Sequence, residues 1–395
     1  MKISIKSLFT FFTATTLCQI TLSDVPVHAA STLPTIEQVQ ALQQFLLRKT
    51  TALPSDIDYD WNHDDCYTVT DLCRMKQALL STNTGTVFSV SNSTELQQAL
   101  YTVVAGDTIL LQPGTYESSE YGTKAALFSS SQAGTADQPI TIKSADPEQP
   151  AILKGTDNSK GIVLYLTGDY WNIEGIVCST AQKGIVLDHS NYTYLKNVEV
   201  YETGQEGIHL RDGSSYCVID GANVHDTGLT NATYGEGIYI GSAKTTTGYA
   251  YNCDDNVVKN CTLGPNTTAE CVDIKEYTTG NRIENCTLYG GGMTETDSFI
   301  DIKGNETTVQ NNICDSQGNT TITDAFQVHC QVEGWGCDNM ISNNTVSFTG
   351  TTEYIVRCWS GTSCTVQKNL RIPESENAMY RAYNGSTMTI LGDSQ

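Results

Sequence analysis

The sequence predicts an all-β chain folded as a right-handed parallel β-helix, a solenoid of about eight to ten coils. Three observations predict this fold: a repeated apolar and polar unit, a column of Asn and Gly residues after each repeat, and an amphipathic segment placed before the first repeat. A solenoid needs such a segment because an uncapped terminal coil would expose its core to water.

The repeated unit is five residues long and occurs eight times after residue 160, with apolar side chains at its second and fourth positions. The units begin at Gly161, Gly184, Gly207, Gly237, Cys271, Phe299, Ala325 and Glu353. The alternation has the period of two expected of a strand with one buried face. Successive units lie 23 to 34 residues apart, which is typical of a solenoid whose loops vary in length.

A second column follows the second strand of each repeat and contains Asn or Gly. Its members are Asn197, Asn260, Asn285, Asn311 and Asn343, with Gly175 and Gly221 at equivalent places. Both residue types tolerate a positive φ. The column therefore predicts a tight turn with left-handed backbone geometry in every coil.

The capping segment covers residues 91–105, with Asn92 or Ser93 as the N-cap. Leu96, Leu100 and Val104 are spaced to lie on one side of a helix. We expect this helix to close the open end of the solenoid.

The chain divides into three predicted parts. Residues 1–30 hold two lysines, an apolar stretch and small residues at their end, which is the pattern of a cleaved secretory signal peptide. Residues 31–85 are expected to form a partly helical extension, and residues 86–395 the β-helix domain. The other apolar runs are too short for a transmembrane helix. We therefore expect a secreted, extracellular protein.

Cysteines and glycosylation sequences fit an exported chain. Fourteen cysteines favour disulfides in an oxidising compartment, although their connectivity stays open. The easiest pairs to propose close short loops: Cys66 with Cys73, Cys330 with Cys337, and Cys358 with Cys364. A glycoprotein is suggested by Asn-x-Ser/Thr sites at Asn92, Asn191, Asn231, Asn260, Asn266, Asn285, Asn305, Asn319, Asn343 and Asn384.

The formal net charge of −22 limits the possible partners. Nucleic acid is not expected as a partner, since phosphate binding needs a basic face, and no membrane partner is expected. A polysaccharide partner, neutral or anionic, is compatible, but an anionic one requires locally placed cations from Lys, Arg or a bound metal. We expect a monomer, because the apolar columns form one continuous core.

Two phrases near the first coil carry a family resemblance. Residues 104–116 read VAGDTILLQPGTY, and residues 134–143 read GTADQPITIK, followed by AILKG at 151–155. They are similar to the helix cap and first coil of the pectate-lyase-like β-helix superfamily, nearest to chondroitinase B and the related alginate lyases. The resemblance implies a polysaccharide lyase. The fold also hosts hydrolases, epimerases and adhesins, so it does not assign the activity by itself.

Two motif sets of the superfamily are missing from this sequence. The polygalacturonase set of Asn-Thr-Asp, paired Asp, Gly-His-Gly and Arg-Ile-Lys is not found, nor is the Trp-Ile-Asp-His phrase of the arginine-base pectate lyases. The resemblance therefore leaves a lysine-base lyase most open.

The third and fifth positions of each unit should point outward and form the candidate site. Ionisable residues concentrate there in the middle coils, beside an acidic column that precedes each unit. The candidate catalytic residues are Lys275, Lys303 and Arg357. The candidate substrate-binding residues are His209, Arg211, Tyr239, His329, Trp335 and Trp359. The candidate metal ligands are Glu236, Glu270, Asp273, Asp301 and Asp324.

This arrangement suits β-elimination from a uronate. The proton α to the sugar carboxylate is weakly acidic, so the carboxylate must be neutralised, a base supplied and the leaving oxygen assisted. Ca²⁺ held by carboxylates can perform the first task. Lys275 or Lys303 is expected to be the base, with Lys275 favoured as the more central, and Arg357, Arg211 or a His to assist the leaving oxygen.

Two other functions stay open from the sequence. A glycoside hydrolase on the same scaffold would use two carboxylates such as Glu236 and Asp273. A non-catalytic surface or matrix protein would keep the face for glycan binding alone. Stacked Asp and Lys residues can also pair on a solenoid face without any function.

Overall fold

The computed structural model describes residues 34–54, 59–61, 66–81 and 85–392, which form two compact units divided after residue 83. The predicted signal peptide at residues 1–30 lies outside the described residues. No helix in the described part is long and apolar enough to span a membrane.

The first unit contains two helices, α1 (Ile36–Leu46) and α2 (Val69–Ser81). A capping box begins α1: the side chain of Thr35 accepts from the Gln38 backbone N–H, and the Gln38 side chain accepts from the Thr35 N–H. The apolar sides of the helices pack around Val39, Leu42 and Met75. The extension is therefore partly helical, as its amphipathic pattern predicts.

The second unit is built from 32 parallel strands in three sheets, one strand of each sheet per coil. Sheet 1 has 12 strands: β1 (Val87–Val90), β2 (Thr108–Leu111), β5 (Ile140–Ser144), β8 (Trp171–Glu174), β11 (Tyr194–Lys196), β14 (Val218–Asp220), β17 (Val257–Lys259), β20 (Arg282–Glu284), β23 (Thr308–Gln310), β26 (Asn339–Ser342), β29 (Ser363–Gln367) and β32 (Thr387–Leu391).

Sheet 2 carries the candidate site on its outer face and has ten strands: β4 (Ala126–Ser130), β7 (Ile162–Leu166), β10 (Lys183–Asp188), β13 (Ile208–Arg211), β16 (Ile238–Ile240), β19 (Val272–Ile274), β22 (Ile300–Ile302), β25 (Asp324–Val328), β28 (Tyr354–Cys358) and β31 (Tyr380–Ala382).

Sheet 3 also has ten strands: β3 (Thr115–Glu117), β6 (Ile152–Lys154), β9 (Val177–Ala181), β12 (Glu199–Thr203), β15 (Asn223–Val224), β18 (Thr262–Leu263), β21 (Thr287–Tyr289), β24 (Ile313–Asp315), β27 (Thr345–Ser347) and β30 (Leu370–Ile372). The predicted right-handed parallel β-helix is confirmed.

Two of the eight predicted units are two residues out of register. Strand pairing places Ile185 opposite Leu164, and Phe326 opposite Val356. Val163 and Ile355, which we expected to point outward, are fully buried in the core instead. A shift of two residues preserves the alternation of a strand, so the pattern alone cannot detect it.

The predicted turn column is confirmed. Asn197, Asn260, Asn285, Asn311 and Asn343 all have φ between 50° and 58°. Lys368 occupies the same place before β30 with a φ of 51°, although neither Asn nor Gly stands there.

A second set of asparagines lies inside the solenoid. Asn344 donates a 3.0 Å hydrogen bond to the side-chain oxygen of Asn369 and accepts one of 3.0 Å from the side chain of Asn312. All three side chains are buried. The ladder satisfies backbone groups at the turns, because each amide also bonds the main chain of a neighbouring coil.

The capping helix α3 (Ser93–Thr102) is shorter than expected. Asn92 is its N-cap and accepts from the Glu95 backbone N–H, and Leu96 and Leu100 are buried against the first coils. Val104 follows the end of the helix and is 60% exposed, so its predicted place on the apolar side is wrong.

The described cysteines from Cys178 to Cys364 form no disulfide in the structure, and the expected disulfides stay a prediction. The three proposed pairs differ in exposure. Cys66 and Cys73 are exposed, whereas Cys358 and Cys364 are buried with their sulfurs 2.7 Å apart.

Candidate active site

Two outward columns cross sheet 2 in strict register. Strand pairing aligns the first column through His209, Tyr239, Asp273, Asp301, Gln327 and Arg357. The second column lies two residues further along each coil, and ladder hydrogen bonds continue through Lys275, Lys303, His329 and Trp359. Since neighbouring parallel strands lie about 4.8 Å apart, residues distant in sequence become adjacent on this face.

Asp273 joins the two lysines at the centre of the face. Its carboxylate lies 2.5 Å from Lys275 Nζ and 2.6 Å from Lys303 Nζ. Burial alone would lower the pKa of Lys275, but the charge of Asp273 and the hydrogen bond to it raise that pKa above its ordinary value. Lys275 is therefore held in its ammonium form.

Lys303 is more deeply enclosed than Lys275. Its Nζ also lies 3.2 Å from Asp301, and the residue is 8% exposed. Burial opposes its charge, yet Asp273 and Asp301 raise its pKa. Lys303 is thus fixed between two carboxylates, which suits a positioning group better than a base.

Tyr239 is buried beside this cluster. Lys275 Nζ lies 4.8 Å from the centre of the Tyr239 ring, and the His209 ring packs edge-on at 4.4 Å. Burial raises the pKa of Tyr239, the charges of Asp273 and Glu236 raise it further, and the charge of Lys303 lowers it. The phenol is therefore held in its neutral form.

Three carboxylates converge next to Tyr239. Glu236, Glu270 and Asp273 each offer an oxygen within 4.8 Å of the others, and we call them the carboxylate triad. Burial and the neighbouring negative charges raise the pKa of Glu236 to about 9 and that of Glu270 to about 7. The Oε2 of Glu236 is buried without a hydrogen-bond partner. This oxygen-rich set fits a divalent cation.

The other two predicted metal ligands are outside the triad. Asp301 accepts a 2.9 Å hydrogen bond from Ser298 and pairs with Lys303, whose charge lowers its pKa despite burial. Asp324 accepts from the Gln327 amide at 2.8 Å. Three of the five predicted ligands are thus brought within reach of one ion, and the ligand role of Asp301 and Asp324 stays a prediction.

Arg357, predicted as catalytic, pairs with Asp324 instead of facing the lysines. Its Nε lies 2.8 Å from Asp324 Oδ2, without the alignment of a directed hydrogen bond. Its guanidinium also lies 5.6 Å from the centre of the Trp359 ring. Burial is the main reason that the pKa of Asp324 is raised to about 7, and Arg357 opposes that rise.

Two of the predicted substrate-binding residues are tied into the scaffold. His209 Nε2 lies 3.0 Å from the Gly241 carbonyl, and burial lowers the pKa of this imidazole well below its ordinary value. Arg211 forms two hydrogen bonds of 2.6 and 3.2 Å to Asp188, which also accepts from the Tyr165 hydroxyl.

The aromatic candidates lie towards the other end of the face. His329 and Trp359 stack with ring centres 5.7 Å apart. Trp335 packs edge-on against Tyr277, at 5.4 Å, within the loops beside the sheet. The structure therefore separates the nine candidates for catalysis and substrate binding into a central group around Lys275 and two flanking groups.

A cavity of about 210 Å³ opens beside Tyr239. Its lining includes Lys183, Glu206, Arg211 and Tyr249. Lys183 and Glu206 form an ion pair across adjacent coils. Glu206 belongs to the acidic column predicted before the units, whereas Lys183 is not among the predicted site residues. Lys183 stands directly before the unit that begins at Gly184, and Glu206 stands directly before the unit that begins at Gly207. Their equivalent positions in the sequence are a signal from which this pair could have been found.

Tyr249 belongs to the loop between β16 and β17, and this loop covers the N-terminal part of the face. Its ring contacts the Arg211 guanidinium at 4.7 Å and Lys124 Nζ, just before β4, at 5.3 Å. Beneath it, the outward residues Tyr165 and Val186 are buried in a small apolar cluster. The loop thus covers the first coils of the face, and its residues Ser242, Thr246 and Tyr249 line the cavity beside Tyr239.

The comparisons with known proteins agree with this fold. Residues 77–307 match the model of the Pel9A-like right-handed β-helix region. The chain is similar to the structure of an alginate lyase from Paenibacillus sp. str. FPU-7, with 40% sequence identity, a TM-score of 0.71, and coverage of 76% of this chain and 99% of that one. Pectate lyase Pel9A shares the fold at 16% identity, with a TM-score of 0.59 and coverage of 75% and 80%.

A curated relative gives a shorter match. Pectate lyase L of Dickeya dadantii is 26% identical over 144 residues, which are 35% of this chain and 33% of that protein. The chain therefore aligns with about a third of the length of this relative.

Proposed function

Because this chain belongs to the Pel9A-like right-handed β-helix family, a family of polysaccharide lyases, we propose that it cleaves a uronate-containing polysaccharide by β-elimination. The observation that carries the proposal is the convergence of Tyr239, Lys275 and the carboxylate triad beside the cavity on the outer face of sheet 2. An alginate-like chain is the preferred substrate class, supported by the 40% identity to an alginate lyase.

The carboxylate triad would hold the cation, with Ca²⁺ as the proposed ion. The buried, unpartnered Oε2 of Glu236 and the raised pKa values of Glu236 and Glu270 are the features that a bound cation would relieve. When bound, the ion supplies neutralisation of the sugar carboxylate and offsets the negative charges that raise the pKa of Tyr239.

Proton transfer is assigned to Tyr239 and Lys275. Asp273 keeps Lys275 charged, so Lys275 is suited to donate a proton to the leaving glycosidic oxygen. Tyr239 is the proposed base: its phenol proton must first pass to solvent, which the charge of Lys303 favours, and the phenolate then takes the α-proton before Lys275 protonates the departing oxygen. Lys275 is thus the proposed proton donor, whereas the sequence suggests it as the base. The sequence does not reveal that one aspartate contacts both lysines and keeps Lys275 protonated.

The hydrolase alternative is less compatible with the geometry. Glu236 and Asp273 oxygens lie within 4.8 Å of each other, whereas hydrolases place their carboxyl groups about 5–5.5 Å apart for retention or 6.5–9.5 Å for inversion. Asp273 also carries two lysine contacts, which leave it neither a free nucleophile nor a free base. A purely glycan-binding role gives no reason for the Tyr239–Lys275 pair.

The test measures ultraviolet-absorbing unsaturated product from alginate, pectate, glucuronan and chondroitin. We expect Tyr239→Phe and Lys275→Met to remain folded and to lose at least about a hundredfold in initial rate on the cleaved substrate. Tyr216→Phe is the matched control, because Tyr216 stacks on Tyr192 in an exposed row and makes no contact with the triad. New reducing ends without ultraviolet absorbance would contradict the proposal, as would full rates in both site variants.

Secretion and a monomeric state complete the proposal. The predicted signal peptide at residues 1–30 suits a polysaccharide substrate outside the cell. A mature N-terminus near residue 31 in the culture medium, and a single species of monomer mass on size-exclusion chromatography with light scattering, are the expected outcomes. Retention in the cell or a stable dimer would contradict them.

A further inference from the structure

A row of aromatic rings stands at the C-terminal end of the same face. The Trp359 ring stacks on His329 at 5.7 Å and on Tyr383 at 4.6 Å, with interplanar angles of 17° and 4°. The three residues occupy the fifth position of successive coils, so the row continues the column that contains Lys275. Their faces cover one another, and what they can present to a ligand is ring edges, which carry partial positive charge.

Arg381 extends the row with a full positive charge. Its guanidinium lies 4.8 Å from the centre of the Tyr383 ring and donates a 3.2 Å hydrogen bond to the Tyr354 hydroxyl. The residue is exposed, and strand pairing places it directly beyond Arg357. We call Trp359, Tyr383 and Arg381 the distal surface.

Arg381 differs from the other cations on this face. Lys183, Arg211, Lys275, Lys303 and Arg357 each pair with a carboxylate. Among the residues that the structure describes, no carboxylate lies within ion-pair distance of Arg381. Its charge is therefore available to an anionic partner, on a protein whose net charge of −22 would otherwise repel one.

The direction of a bound chain follows from what covers the face. Tyr249 and its loop close the first coils, and the cavity of about 210 Å³ beside Tyr239 is below the roughly 300–1,000 Å³ typical of pockets for drug-sized ligands. The cavity is lined by residues of the coils up to Tyr239, so a polymer that fills it and continues past Tyr239 runs towards the C-terminal coils. Lys275 and Tyr383 are four coils apart, which is about 19 Å at parallel-strand spacing.

From these contacts we infer that the distal surface binds the uronate chain several sugars away from the cleaved bond. This inference rests on the proposed function. The carboxylate of a distant sugar pairs with Arg381, and the edges of the Trp359 and Tyr383 rings face the same anionic chain. The surface raises affinity for polymers without entering the chemical step, because its contacts are made equally before and during reaction.

The test compares Arg381→Gln with wild type on a long polyuronate and on its trisaccharide. We expect the KM for the polymer to rise by about fivefold to tenfold, as for loss of one charged hydrogen bond, with kcat unchanged. The trisaccharide is too short to reach from Tyr239 to Arg381, so its kcat/KM should stay at the wild-type value. Arg282→Gln is the matched control, since it also removes one exposed arginine charge, but from sheet 1.

A second measurement separates this inference from the proposed function. Binding of the polymer to Tyr239→Phe and to Tyr239→Phe with Arg381→Gln is measured at two salt concentrations, and the double variant should bind more weakly and with a smaller salt dependence. Unchanged polymer KM and unchanged binding for Arg381→Gln, in an enzyme that cleaves the polymer, would overturn the distal surface alone. Failure of the wild type to cleave any uronate polymer would overturn the proposed function instead.

Discussion

Lys303 donates a 2.6 Å hydrogen bond to the Oδ1 of Asp273 in the buried floor of the site. Asp273 is 2% exposed and shares its other oxygen with Lys275. The two lysines therefore depend on one aspartate, and the more deeply buried of them holds that aspartate in place.

Lys303→Met is expected to destabilise the protein strongly. The variant leaves Asp273 and Asp301 buried beside a neutral side chain, and loss of one partner of a buried ion pair costs about 3–5 kcal/mol. Chemical denaturation at neutral pH measures the free energy of unfolding. Lys259→Met is the control, because its pair with Asp220 is partly exposed and should contribute about 0–1 kcal/mol. Equal stability of the two variants would contradict the assigned role of Lys303.

Addition of Ca²⁺ is expected to raise the melting temperature of the wild-type protein, and chelation to abolish both this rise and the activity. A ligand that binds the folded state stabilises it by mass action. Glu236→Gln should lose the calcium-dependent shift, whereas Asp324→Asn should keep it, because Asp324 is outside the triad. A full shift in Glu236→Gln would show that the ion binds elsewhere.

Asp324 predicts a specific dependence of stability on pH. Its pKa is raised from 3.8 to about 7, mainly by burial, so the folded state holds a proton that the unfolded state releases above about pH 4. The contribution of Asp324 to the free energy of unfolding is therefore fully present below pH 4 and is lost as the pH rises towards 7. The free energy of unfolding of wild type relative to Asp324→Asn should fall by roughly 1–3 kcal/mol across this window. Equal slopes for both proteins in denaturation at pH 4, 5.5 and 7 would contradict the raised pKa.

Asn344→Ala tests the internal asparagine ladder. Asn344 bonds the side chains of Asn312 and Asn369 and the Val309 carbonyl. Its removal leaves buried polar groups unsatisfied, each at a cost of about 1–3 kcal/mol, so a loss of several kcal/mol is expected in chemical denaturation. The control is Asn343→Gly at the preceding position, where the backbone φ is 57°. Glycine also tolerates this φ, so the free energy of unfolding should change little. Similar losses in the two variants would argue against the ladder.

The solenoid could be predicted because its signals are local. Alternation within a strand and tolerance of positive φ at a turn are properties of short segments, and they placed Tyr239, Asp273 and Lys275 correctly on one outward face. The register errors at Val163 and Ile355 arose where a shift of two residues leaves the same pattern.

The chemistry of the site could not be predicted to the same depth. Which carboxylates can share a cation depends on the orientation of each side chain: Asp324 accepts a hydrogen bond from Gln327, whereas the Oε2 of Glu236 has no hydrogen-bond partner. The protonation of Lys275 depends on its contact with Asp273. The path of the Tyr249 loop depends on contacts with Arg211 and Lys124 from distant coils, for which a single sequence carries no pattern.

The loop that carries Tyr249 connects β16 of sheet 2 to β17 of sheet 1. Both ends are fixed by strands whose pairing does not involve the loop itself. A shorter or longer loop at this point would uncover or cover the first coils without moving Tyr239, Lys275 or the triad. The length of polymer accepted on the N-terminal side can therefore diverge between related enzymes while the catalytic centre is conserved, and exchange of this one segment offers a route to altered product size.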